Sequence, residues 1–121
     1  MTPLETAKLL AAALDAKKGL DIRILEIADL TIIADYFVIA TGTSNTQVKA
    51  LAGEAEEKAK QAGIEPLRTE GYDGGGWILL DFNSVIVHVF QPSTREFYSL
   101  ERLWADAQPV DMGFLEHPDE K

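Results

Sequence analysis

Three groups of residues in this sequence are of types that take part in phosphate chemistry. The segment from Gly42 to Ser44 lies between an apolar run and a helical pattern, where free backbone amides can bind a phosphate. Glu70 and Asp81 carry carboxylates that can bind a metal ion. His88, within the run Val-Ile-Val-His-Val-Phe, can transfer a proton. Together these residues suggest a nucleotide-binding enzyme.

The spacing of these residues argues against that chemistry. The Gly42–Ser44 turn is similar to the Gly-Ser turn of nucleotidyltransferases, but those enzymes need two or three carboxylates that converge on metal ions. Here Glu70 and Asp81 are isolated, and no lysine follows the turn. His88 has no partner at metal-ligand spacing, and the sequence contains no cysteine. We therefore expect no catalytic residue, no metal and no cofactor, and a nucleotide-binding turn is the alternative interpretation.

Net charge narrows the choice of partner. The 121 residues carry a formal charge of −9, divided as −2 over residues 1–60 and −7 over residues 61–121. Such acidity repels phosphate backbones and anionic lipid, so we expect neither direct nucleic-acid specificity nor a membrane partner. No apolar run approaches the roughly 20 residues that span a bilayer, and the N-terminus lacks the basic start of a signal peptide. These features predict a cytoplasmic protein.

The periodicity of the first half predicts alternating helices and strands. A capping box at Thr2 starts a helix that ends with a left-handed cap at Gly19. Residues 22–28 form a strand, and residues 36–41 form a buried strand in the middle of the sheet. A second capping box, at Ser44, opens a helix that runs to Gly63, and the chain returns to the sheet at 64–68. The fold class is α/β.

The second half predicts a hairpin followed by a short helix. Four of the nine glycines lie in the loop 71–76, and strands 77–81 and 85–90 flank a turn at 82–84. A third capping box, at Ser93, opens a helical stretch that continues to Trp104. We expect a single domain over residues 1–107 and an acidic, mobile tail over residues 108–121.

Trp77 is the residue most suggestive of function. It follows three glycines at the edge of a loop and shares a strand face with Leu79. Tryptophan and tyrosine are enriched among residues that dominate protein interfaces, and the mixed charges and aromatics of residues 95–104 can surround such a site. Two simpler interpretations stay open: Trp77 caps the core, and some of the charged residues form an ordinary solvated helix face.

Five segments closely resemble, in order and spacing, the ribosomal silencing factor family, also called RsfS or Iojap-like. They are Ala-Asp-Tyr-Phe-Val-Ile-Ala-Thr-Gly at 34–42, Glu-Gly at 70–71, Trp-Ile-Leu-Leu-Asp at 77–81, Val-Ile-Val-His-Val-Phe at 85–90 and Arg-Glu-Phe-Tyr-Ser-Leu-Glu-Arg-Leu-Trp at 95–104. The resemblance covers about residues 4–107. It implies a mixed five-stranded sheet flanked by helices, with nucleotidyltransferase-like topology and without the catalytic carboxylates.

The same resemblance implies a function in translation. Members of this family bind the large ribosomal subunit through its protein number fourteen and block association with the small subunit, which lowers translation under nutrient limitation. It also implies a homodimer off the ribosome, which an exposed apolar patch favours. The family's contact surface falls on six residues of this sequence, which are Trp77, Leu79, His88, Glu96, Tyr98 and Arg102.

Overall fold

The computed structural model describes residues 1–115 as helices packed on a mixed six-stranded sheet. The strand order is β3-β4-β5-β2-β1-β6. β2 and β5 are parallel, and the other neighbouring strands are antiparallel. In chain order the elements are α1 (Pro3–Ala16), β1 (Leu20–Glu26), β2 (Tyr36–Thr41), α2 (Asn45–Gln61), β3 (Arg68–Glu70), β4 (Trp77–Asp81), β5 (Val85–Phe90), α3 (Pro92–Tyr98), α4 (Leu100–Leu103) and β6 (Gln108–Pro109).

The two long helices begin at the predicted N-caps. In α1 the Thr2 hydroxyl accepts from the Glu5 amide at 3.1 Å, and the Glu5 carboxylate accepts from the Thr2 amide at 2.8 Å. In α2 the Ser44 hydroxyl accepts from the Gln47 amide at 3.1 Å. The predicted cap at Gly19 is wrong, because the left-handed residue is Lys18, with φ of 68°. The first strand also starts earlier than predicted, at Leu20.

The two strands with the clearest sequence patterns, β2 and β5, lie side by side in the sheet. β2 lies between β5 and β1, as the apolar run predicts, and each residue from Tyr36 to Thr41 pairs with one from Val85 to Phe90. The predicted hairpin of β4 and β5 is confirmed, and Asn83 adopts the positive φ of 78° that its turn requires. β3 begins later than predicted and forms one edge of the sheet.

The two faces of the sheet are covered unequally. Apolar residues of α1 and α2, among them Leu10, Leu14 and Leu51, pack with Val38 and Val87 on one face. Among the described residues, the opposite face is covered by the loop between β1 and β2, by the short helices α3 and α4 and by the chain that follows them, and its cluster is correspondingly small. The side chains of this less covered face are therefore the ones available to a partner.

The helix after β5 differs from the prediction in two ways. It begins with Pro92 in the first helical position, where a proline fits because no amide hydrogen is needed, and the predicted Ser93 cap is absent. It then breaks at Ser99, which has left-handed φ and ψ of 49° and 59°. The single helical stretch is therefore two helices joined at a corner.

The expectation that regular structure ends near Ala107 is also wrong. Gln108 and Pro109 form β6 against β1, and the Val110 amide donates to the Ile24 carbonyl at 2.9 Å. The side chains of Val110, Met112 and Phe114 pack against the core, which makes the sheet six-stranded where five strands were expected. The α/β class is confirmed, and the nucleotidyltransferase-like topology stays a prediction. Residues 116–121 of the predicted tail lie outside the described part of the chain.

Truncation tests the contribution of β6 and the residues after it. Deleting residues 108–121 removes the β6 pairing and three partly buried apolar side chains, so we expect the free energy of unfolding to fall by about 3 kcal/mol. Urea denaturation followed by circular dichroism measures the change. Deleting only residues 116–121 is the control, which leaves β6 and those three side chains in place. Equal stability of the two truncated chains would contradict the structural role of β6.

Candidate functional site

Strand register brings the predicted contact residues of the hairpin onto the less covered face. Trp77 in β4 pairs with Phe90 in β5, and Leu79 pairs with His88. Residues directly opposite each other in an antiparallel pair share a face, so all four side chains lie on the same side of the sheet. Tyr98, at the end of α3, completes this group. We call Trp77, Leu79, His88, Phe90 and Tyr98 the Trp77 patch.

The aromatic rings of the Trp77 patch form a stack that runs from the interior to the surface. Trp77 lies between the buried Phe90 ring, with centroids 5.0 Å apart, and the Tyr98 ring, with centroids 4.7 Å apart. Phe90 is fully buried, Trp77 is partly exposed and Tyr98 is 50% exposed. Aromatic pairs at these distances are mutually stabilising, so the exposed part of the stack is a rigid platform.

His88 supports Trp77 from the interior. The Trp77 indole nitrogen Nε1 donates a hydrogen bond to His88 Nδ1 at 3.1 Å, which assigns the imidazole proton to Nε2. His88 Nε2 is the buried side-chain polar atom that has no hydrogen-bond partner among the described residues. Burial lowers the pKa of His88 from 6.5 to about 4, so the ring is neutral near pH 7. A neutral ring is the form that can accept from Trp77.

Arg95 fixes the corner between α3 and α4. Its guanidinium donates to the Thr41 hydroxyl at 2.8 Å and to the Glu101 carboxylate at 2.6 Å, and it lies 3.7 Å from an Asp21 carboxylate oxygen. Arg95 is 8% exposed, which makes it a buried cation with its charge matched by carboxylates. These contacts join α3 and α4 to the ends of β1 and β2, and so set where Tyr98 lies.

The structure gathers some of the predicted site residues and separates others. Trp77, Leu79 and Tyr98 are at least partly exposed within one patch, whereas His88 is only 4% exposed and contacts Trp77 through the hydrogen bond. Glu96 and Arg102 are exposed, but they line a separate cleft of about 470 Å³ beside Arg95. Whether the exposed residues contact a partner stays a prediction.

The sequence pattern places Arg95 among exposed helix charges and gives no sign of its burial. Its main partner, Glu101, lies six residues further on and across the corner at Ser99, a spacing that no regular helix brings together. Thr41 is 54 residues away along the chain. No local pattern in the sequence signals either contact, because both depend on where the helices dock.

The alternative phosphate turn has few amides to offer. The Gly42 amide donates to the Phe90 carbonyl at 2.8 Å, and the Thr43 amide donates to the Gln47 side chain at 2.7 Å. Ser44 uses its hydroxyl to cap α2. A phosphate site needs several unpaired amides in one loop, so this arrangement is that of an ordinary strand-to-helix turn. Over residues 1–115 there is no cluster of three acidic or histidine side chains suited to a metal ion.

Comparison with known proteins identifies the relatives of this chain. A family model described as "Ribosomal silencing factor during starvation" matches residues 1–121. A Bacillus subtilis protein named "Ribosomal silencing factor RsfS" is 42% identical over 107 residues, which cover 88% of this chain and 91% of that protein. A crystal structure of a Chromobacterium violaceum protein superposes with a TM-score of 0.85 at 41% identity, covering 91% of this chain and 92% of that one.

A more distant relative comes from a eukaryotic organelle. The mouse protein named "Mitochondrial assembly of ribosomal large subunit protein 1" is 32% identical over 99 residues, which cover 79% of this chain and 43% of that protein. The names of the mouse and Bacillus subtilis relatives refer to ribosomes and not to enzymes. Within the described part of the chain, no helix has both the length and the apolar character needed to cross a membrane.

The buried histidine predicts a pH dependence of stability. Unfolding returns the pKa of His88 from about 4 to 6.5, so between these values the unfolded chain binds the additional proton. Stability therefore falls as pH decreases through this window, by about 3 kcal/mol in total from His88 alone. Urea denaturation at a series of pH values measures the slope, and His88→Gln removes the titration while keeping an acceptor for Trp77. Identical slopes for the two proteins would contradict this assignment.

The buried position of Arg95 leads to a second prediction about the free energy of unfolding. Arg95→Met removes the ion pair with Glu101 and the hydrogen bond to Thr41, so we expect the free energy of unfolding to fall by about 1.5 kcal/mol. Arg102→Met, at an exposed arginine seven residues further on, is the matched control and should change stability by less than about 0.5 kcal/mol. Thermal unfolding of the three proteins measures the difference. A loss no larger than that of the control would show that the Arg95 contacts contribute little.

Proposed function

This chain belongs to the ribosomal silencing factor family, and on that premise we propose that it binds the large ribosomal subunit and keeps the small subunit from joining. The proposed docking partner is protein number fourteen of the large subunit, at the face that the small subunit would occupy. Translation falls as a result when nutrients are limiting. The proposed place of action is the cytoplasm.

The observation that carries this proposal is the exposed end of the Trp77 patch. Residues that dominate binding energy at interfaces are most often tryptophan, tyrosine and arginine, held in place before binding. Trp77 and Tyr98 meet that description, because Phe90 and His88 support the first and α3 carries the second. A preorganised platform loses little side-chain entropy when a partner docks on it.

The distribution of charge supports a protein partner within the ribosome. The half of the chain that contains the Trp77 patch carries −7 of the total charge of −9. An acidic surface favours the approach of a basic protein and is repelled by exposed RNA. Ribosomal RNA is therefore the less favourable docking surface, and a basic ribosomal protein is the more favourable one.

The proposed mechanism is steric and requires no reaction. A folded domain docked at the intersubunit face excludes the small subunit by its volume, so silencing depends only on affinity and position. This agrees with the Glu70 and Asp81 carboxylates, which both pair with Arg68, and with the amides already used in the Gly42–Ser44 turn. Nucleotide binding at that turn is therefore the less favoured alternative.

We also propose that the protein forms a homodimer off the ribosome. Tyr98 and its neighbour Phe97 leave apolar surface exposed beside the Trp77 patch, and apolar surface of this kind is commonly covered by association. If the dimer uses the same surface as the ribosome, the two associations compete. Large subunits would then convert the dimer into bound monomers.

Binding to purified large subunits tests the proposed function. Trp77→Ala and Tyr98→Ala each remove part of the aromatic platform, so we expect the affinity in a co-sedimentation assay to fall at least about tenfold. Leu67→Ala is the matched control, because Leu67 is an apolar side chain that is 70% exposed and lies before β3. Far-ultraviolet circular dichroism and urea denaturation verify that each variant is folded. Undiminished binding by both folded platform variants would remove this patch from the interface.

A further inference from the structure

A narrow groove lies beside Trp77 at the free edge of the sheet. It is lined by Glu70, Gly71, Trp77 and Leu79 and has a volume of about 210 Å³. β3, which contributes Glu70, is the last strand at this edge, so no further strand formed by residues 1–115 covers the groove. Trp77 and Leu79 belong to the Trp77 patch, whereas Glu70 and Gly71 add features that the aromatic platform lacks.

Position 71, in the wall of the groove, cannot carry a side chain. Gly71 has φ of 92°, and a Cβ atom added there would lie 2.0 Å from the Trp77 carbonyl oxygen. Both the backbone conformation and this close approach require glycine. The bare backbone of Gly71 therefore packs directly against the backbone of Trp77 and forms one wall of the groove.

The walls of the groove differ in chemical character. Register pairs Glu70 with Leu79, which places the Glu70 carboxylate on the same face as Leu79 and Trp77. The groove thus combines an indole ring, an aliphatic side chain and a carboxylate. This combination suits a ligand with an apolar stem and a cationic end, which is the chemistry of lysine and arginine.

The carboxylate of Glu70 can exchange its ion-pair partner. It forms an ion pair with Arg68 at 3.0 Å, but the Glu70 side chain is 56% exposed, and exposed pairs contribute little to stability. Arg68 also contacts the Asp81 carboxylate at 3.3 Å, so it keeps a partner if Glu70 turns to another cation. A cation placed in the groove can therefore replace Arg68 without leaving an unpaired charge.

We propose that this groove binds a single lysine or arginine side chain from the protein partner on the large ribosomal subunit. The stem of that side chain packs between Trp77 and Leu79, and its charged end pairs with Glu70. An apolar side chain would desolvate the Glu70 carboxylate and its exposed pair with Arg68 without adding a new contact for the charge, and an acidic one would be repelled. The groove thus adds charge selectivity to the aromatic platform. This inference rests on the proposed function.

The test compares two single-charge changes of the same kind. Glu70→Gln removes the carboxylate from the groove, and Glu65→Gln removes an exposed carboxylate that lies outside it. In co-sedimentation with purified large subunits at low salt, we expect Glu70→Gln to weaken binding by about five- to tenfold and Glu65→Gln by less than about twofold. Glu70→Lys should weaken binding further, because it places two cations together, whereas Glu65→Lys should have a smaller effect.

Three outcomes of this experiment are distinct. If only the Glu70 variants lose affinity for large subunits, and if that loss becomes smaller at high salt, the groove is supported as a cation site, because salt screens ion pairs. Equal behaviour of the Glu70 and Glu65 variants, with wild-type binding intact, overturns the groove and leaves the proposed function standing. If the wild-type chain does not bind large subunits, both the cation groove and the proposed function are overturned. Glu70 is exposed, and urea denaturation verifies that its variants are as stable as their controls.

Discussion

The hydrogen bond from the Trp77 indole to His88 links the surface of this protein to the interior of its sheet. His88 lies in a strand that is buried along its whole length, so its ring is positioned by the sheet and not by solvent. Trp77 comes from the adjacent strand, next to a glycine-rich loop that would otherwise allow it to move. The bond therefore anchors Trp77, a partly exposed side chain, to the rigid interior of the sheet.

That arrangement depends on the unequal covering of the sheet. Two long amphipathic helices complete one face, and in the described part of the chain the other face receives loop segments and helices of seven and four residues. The contacts of Arg95 fix these short helices where Tyr98 packs against Trp77 and leaves it partly exposed. The cost of burying a cation is offset by Glu101, Asp21 and Thr41, so the surface that remains uncovered is stable as well as exposed.

Local patterns were sufficient for the elements whose signals are short-range. The capping residues Thr2 and Ser44, the apolar run of β2 and the turn at Asn83 each act through neighbours in sequence, and each was predicted correctly. The position of Trp77 on the same face as Leu79 followed from strand alternation. Those predictions locate the Trp77 patch, but they do not say which residues support it.

The remaining features depend on contacts between distant segments. β6 pairs with β1 although residues 108–109 have no strand pattern, and the groove beside Gly71 arises from the register between strands, which single-sequence patterns do not determine.

A surface held rigid by the sheet should exclude the small ribosomal subunit whenever it is docked on the large one. The most direct measurement is light scattering of purified large and small subunits as they join, with increasing amounts of this protein added first. We predict that the joined fraction falls in proportion to the large subunits occupied, with no nucleotide or metal dependence specific to this protein. Full joining on large subunits that are saturated with the protein would contradict steric exclusion.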